Sequence, residues 1–152
     1  MATTGVYPVY DNKFKIGTKG KNSTIESDMK TIMDLETFSP SFDNNVEEWN
    51  PMDTDGWIRR FMTGKGLSID FTGKRNIGDE GNDYVAGLLF KNGQDAESKF
   101  EWEFPSGAKV VFDCIVNVTN VSGGDSTNVG ALEFSIMSNG KPTFTAAQQT
   151  AG

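Results

Sequence analysis

Four stretches of this chain alternate apolar with polar residues, and one stretch carries a helical period. Leu67, Ile69 and Phe71 interleave with Ser68, Asp70 and Thr72. Phe100, Trp102 and Phe104 interleave with Lys99, Glu101 and Glu103, and Leu132, Phe134 and Ile136 with Glu133 and Ser135. A period of two sends successive side chains to opposite faces, so each run predicts a strand with one face in a core. The fourth run, Val110 to Val118, is long and partly apolar on both faces, which predicts cover on its back as well. Pro105-Ser106-Gly107 and Asn139-Gly140 supply turn chemistry at strand ends.

The helical stretch begins after Asp79, a good N-cap, and places Tyr84, Val85, Leu88 and Leu89 on one face. Asn92-Gly93 is the expected stop. The predicted fold is therefore mainly β, a β-sandwich or partial barrel with one short α-helix. At 152 residues it fits one domain, 1–152, long enough to bury roughly 70% of its unfolded surface. Residues 1–27 are polar and turn-rich, an N-terminal arm with one short strand. Ile32, Met33, Leu35 and Phe38 suggest a further strand ending before Pro40. Residues 142–152 form a small, polar C-terminal tail.

Composition narrows the chemistry. With no histidine there is no Ser-His-Asp triad and no imidazole metal site. One cysteine, Cys114, makes neither an internal disulfide nor a thiolate cage, and its alignment with Phe112 and Val116 predicts burial. The net charge of −7 argues against gripping DNA or RNA by its phosphates. No apolar run approaches the ~20 residues of a membrane span, and the first residues lack the order of a signal peptide. These features predict a soluble, acidic, intracellularly made domain. Gly64-Lys-Gly66 and Gly17-Thr-Lys-Gly-Lys21 do not fit a phosphate loop. Asp53-Thr-Asp55-Gly56 lacks a ligand where Pro51 stands for a calcium loop. No catalytic, cofactor or metal residue is predicted, since carboxylate pairs such as Glu101 and Glu103 read as solvated strand faces.

Residues 39–62 resist that bland treatment. Two prolines, five acidic residues and no steady period predict a long loop, yet it holds Phe42, Trp49, Trp57, Ile58 and Phe61. Tryptophan and arginine are typical interface anchors. Phe42, Trp49, Trp57, Arg59, Arg60 and Phe61 are accordingly the subunit-interface candidates.

The order of these parts resembles the major tail tube protein of long-tailed (siphovirus) bacteriophages, of the lambda and Gram-positive phage type. The resemblance runs over roughly residues 30–142. It rests on the strand end Leu35-Glu-Thr-Phe38, the long acidic loop, Gly56-Trp57 and Thr63-Gly64-Lys65 leading into Leu67-Ser-Ile-Asp-Phe-Thr-Gly73. The short helix, the hairpin Phe100-Glu-Trp-Glu-Phe-Pro-Ser-Gly-Ala108, the strand from Val116 to Val121 and the close at Ser138-Asn-Gly-Lys-Pro142 follow in order. It implies a virion protein of the tail, not an enzyme. Hexameric rings would stack into a hollow tube for DNA, with sheets of six subunits joined in an inner barrel. It further implies partners at the tape measure, tail tip and tail terminator, no cofactor, and passage of DNA without specific binding. On this sequence the ring-stacking loop would be 39–62, with contact arms at both termini. Asp70, Glu101, Glu103, Asp113 and Glu133, opposite the apolar strand faces, are the lumen-facing candidates. Two readings from other classes stand beside it. One is a carbohydrate- or protein-binding β-sandwich using the exposed aromatics, the other a carboxylate-based hydrolase.

Overall fold

The computed structural model describes residues 5–23 and 26–146. Its main sheet contains β1 (Lys13–Gly17), β2 (Met29–Thr31), β3 (Leu35–Phe42), β6 (Leu67–Lys74), β7 (Glu97–Glu103), β8 (Lys109–Val121), β9 (Ala131–Ser138) and β10 (Thr143–Thr145). A second ladder joins β4 (Asn45–Trp49) to β5 (Arg59–Gly64), and α1 (Glu80–Gly87) is the one α-helix among the described residues. The main sheet is antiparallel in the order β2-β1-β7-β8-β9-β6-β3, with β10 added along β8.

The alternating runs form strands where their period predicts, and their apolar faces meet. Ile69 lies opposite Ile136, and Phe71 opposite Phe134 with ring centroids 5.0 Å apart. Phe14 on β1 touches Phe38 on β3 at 4.8 Å, and Phe38 meets Trp102 at 5.5 Å. β1 and β3 lie near opposite ends of the strand order, so the twisted sheet curls until its two margins share one aromatic core. The result is a partial barrel, mostly β with one helix.

Asp79 caps α1 by accepting from the Asn82 amide at 3.0 Å. Val85 and Leu88 enter the core. Gly81 lets the helix seat on β2, since a Cβ there would come within 2.4 Å of the Thr31 carbonyl oxygen. The helix ends at Gly87, earlier than Asn92-Gly93. The Leu88 amide closes a tighter turn onto the Val85 carbonyl, and Phe90 is left outside the core.

Three other expectations need correction. The N-terminal arm contains β1, which lies inside the sheet between β2 and β7 and buries Phe14 and Ile16. Its two apolar residues were too few to stand out among polar neighbours. The strand expected to end before Pro40 is two strands, broken at Asp34 (φ 62°), and the second runs through Pro40. β3 is the last strand of the sheet, so its outer edge has no partner that needs a donor from Pro40. The C-terminal tail begins with β10, while residues 147–152 lie outside the described residues.

The long loop is the largest correction. Beyond Phe42–Leu67 the ladder continues through reciprocal backbone bonds between Asp43 and Gly66 (2.8 and 2.9 Å) into β4 and β5. β3–β4 and β5–β6 thus form one ribbon, its inner half in the barrel and its outer half free. All five residues of β4 are exposed. An arm with no buried face has no alternation to read.

Candidate assembly interface

The free half of the ribbon is an arm of about 17 Å, at ~3.3 Å per residue, plus its tip. The tip turns through Met52–Thr54, with Asp55 and Gly56 at positive φ and Asn50 Nδ2 donating to the Gly56 carbonyl at 3.0 Å. Cross-strand partners share a face, so Val46/Met62 and Glu48/Arg60 lie on one side of the arm, Glu47/Phe61 and Trp49/Arg59 on the other. Arg60 Nε donates to Glu48 Oε1 at 2.9 Å, and the Arg59 guanidinium stands 5.7 Å from the Trp49 ring centre. Each face therefore mixes a fixed charge with an apolar side chain, and neither is a purely polar side for water.

All six interface candidates sit on this arm or at its root, and all are exposed, Trp57 at 78% and Phe61 at 65%. Val46, Met52, Ile58 and Met62 are exposed with them and were missed. Only their pairing across the ladder reveals them. A lone two-stranded hairpin is marginal in water, and an apolar surface this continuous marks a binding site.

The outer face of the sheet holds the five lumen candidates but does not treat them alike. Glu101 is buried, not exposed, and is a correction: it stands mid-sheet between Lys15 of β1 and Val111 of β8, with Lys15 Nζ 3.8 Å from its carboxylate. Alternation assigns a face but cannot say how crowded that face is. Glu103 is half-buried with Lys109 at 4.0 Å, and Asp113 is exposed opposite Lys99. Asp70 and Glu133 lie elsewhere, in a strip of Ser39, Thr72, Ser135 and Asn117. Ser135 donates to Asp70 and Asn120 to Glu133, both at 2.6 Å, and no lysine bridges either acid.

At the end of the ribbon remote from the arm, a polar clamp ties α1 to the starts and stops of strands. Asn82 is fully buried; its Nδ2 donates to the Met33 and Lys74 carbonyls (3.1 and 3.0 Å), and its Oδ1 accepts from Arg75 Nη1 (2.8 Å) and the Asn76 amide (3.1 Å). Arg75 also donates to Asp83 at 2.7 Å. That bond, with the Gly78 amide, holds the Asp83 carboxyl below its ordinary value. Burial pushes the Cys114 thiol up to about 12, leaving it inert at neutral pH. Among the described residues no acid or cysteine cluster suits a metal ion, and no helix is long and apolar enough to cross a membrane.

No protein-family model and no curated protein matches the chain. Solved structures do match in fold. A chain from the tail of an empty gene transfer agent (GTA) particle, from helical refinement with C6 symmetry, superimposes with a TM-score of 0.70 at 18% identity, covering 93% of this chain and 100% of that one. A chain from the virion of the native GTA particle gives 0.66 at 18% identity, with the same coverage. A chain from the extended sheath–tube complex of an extracellular contractile injection system, PVC, gives 0.55 at 11% identity, covering 93% of each. The curled sheet with one helix is thus a fold found in phage-like tails. The likeness extends to transfer-agent and contractile particles and does not single out the long-tailed phage type.

Proposed function

We propose that this chain is a structural tail tube protein, of the kind that forms the tube of long-tailed phages and related particles. Its copies form six-fold rings that stack into a conduit for DNA, and it carries out no catalysis. The observation that carries this reading is the arm. It is continuous with the core ladder yet buries none of its own apolar side chains, so it is built to be covered by something outside the chain. Phe42, Trp49, Trp57 and Phe61, at roughly 150–250 Å² each when buried, bring it near the ~800 Å² per partner of a standard interface. Another ring of the same protein is the partner that a tail supplies. The C6 symmetry of the GTA tail and the shared fold support the six-fold ring.

In this reading the outer sheet face, with Asp70 and Glu133 in its hydroxyl-rich strip, turns toward the passing DNA. The ends of the tube meet tape measure, tail-tip and terminator proteins, and the protein resides in the tail of the particle. Negative-stain microscopy of the purified chain at rising concentration tests the reading. Rings and tubes of uniform diameter are the expected result. A chain that stays monomeric at millimolar concentration, alone and with tail-tip components, would overturn it; saturable glycan binding by that monomer would favour a carbohydrate-binding module.

A further inference from the structure

The arm leaves one end of the β3–β6 ladder, and the other end of the same ladder carries its own unpartnered apolar surface. Met33, Ile77 and Val129 are 49%, 83% and 64% exposed there. Backbone bonds tie their loops together: Lys74 to the Asp34 carbonyl and Arg75 to the Gly130 carbonyl, both at 2.8 Å. Asn76 Nδ2 donates to Asp34 at 2.6 Å, and the Met33 amide to Asp79 at 3.2 Å. The clamp around Asn82 underlies all of them. Beside this platform opens a groove of about 430 Å³ between β1 and the start of β3, lined by Tyr10, Phe14, Ile32, Leu35 and Phe38.

We infer that this platform and groove receive the arm of a second copy of the chain, with the arm tip, Met52 and Trp57, seated against Ile77 and Val129. The inference rests on the stacking role proposed above. Three observations carry it. The arm offers near the area of a standard interface but needs an apolar counterpart, and the platform is apolar and rigidly tied. The groove has room for the large side chains of the arm. The two surfaces are different and lie at opposite ends of one ribbon. A contact between unlike surfaces at opposite ends does not close on itself as a two-fold dimer does; repeated, it propagates along the line of the ribbon. That is the geometry of stacking, whereas two arms clasping each other would stop at a pair.

Cysteine pairing tests the contact, because the native thiol, Cys114, is buried and unreactive. Met52→Cys combined with Ile77→Cys, oxidised after assembly, is expected to give a ladder of covalent multimers on a non-reducing gel. Met52→Cys combined with Phe90→Cys, at an exposed site on the helix side, is expected to give none. In parallel, Ile77→Asp and Val129→Asp should each reduce the sedimenting tube fraction at least ten-fold with an unchanged thermal midpoint of the unassembled chain. Tubes that form normally in both aspartate variants, or that cross-link through Phe90 and not Ile77, would overturn the inference and leave stacking intact. Failure of the unmodified chain to make tubes would overturn the stacking role, and this contact with it.

Discussion

Asn82 spends both ends of its amide on four partners from three segments, so its removal strands buried backbone groups as well as deleting bonds. An unsatisfied buried polar group costs about 1–3 kcal/mol. Asn82→Ala is therefore expected to lower stability by about 3 kcal/mol in urea unfolding, and Asn82→Asp to be tolerated no better, because a carboxylate cannot donate to the Met33 and Lys74 carbonyls. Asp83 adds a pH dependence of known sign. Its folded pKa lies below the ordinary 3.8, held down first by the Arg75 hydrogen bond. Its contribution is thus present above pH 3.8 and fades as pH falls through the lowered value. Asp83→Asn should flatten the acid limb of the stability curve in that window; an unchanged limb would assign the acid sensitivity to other carboxylates.

For the arm, the energetic question is which state orders it. Fixing a residue's backbone costs about 1–2 kcal/mol, and the arm's own ladder buries little to offset that. Its amides should exchange rapidly with solvent in the monomer and slowly in assembled tubes; equal protection in both states would contradict an assembly role. Trp57→Ala should cost at least ~2 kcal/mol of association with no change in monomer melting, read by sedimentation and calorimetry. This element also marks the limit of sequence reading. Leu67 to Phe71 and Leu132 to Ile136 were legible because one face is dry and the other wet. Val46 to Trp49 and Arg59 to Met62 were not, because both faces are wet in the isolated chain. Their tryptophans and arginines still exposed the segment as an interface candidate, though its shape was hidden. The single-residue break at Asp34 and the burial of Glu101 needed the three-dimensional neighbours.

Across the whole molecule, the outer sheet face divides into a lysine-paired part on β1, β7 and the first half of β8, and a hydroxyl strip on β3, β6 and β9. If the strip faces the lumen, Asp70 and Glu133 repel phosphates within a screening length of roughly 8 Å at physiological salt. Asp70→Lys with Glu133→Lys should then leave tubes intact but slow DNA release, more so at low salt. Release at the native rate across salt concentrations would place this strip away from the DNA. The shared ribbon has a mechanical corollary for such a tube. Tension applied through the arms runs lengthwise into β3 and β6, so the bonds of the core ladder carry it side by side in shear. Peeling them apart one at a time would take far less force. A filament bent or stretched in use would thus yield first at the seams between rings, with each subunit surviving intact to re-seat, and optical-trap pulling on single tubes would register reversible steps before any subunit unfolds.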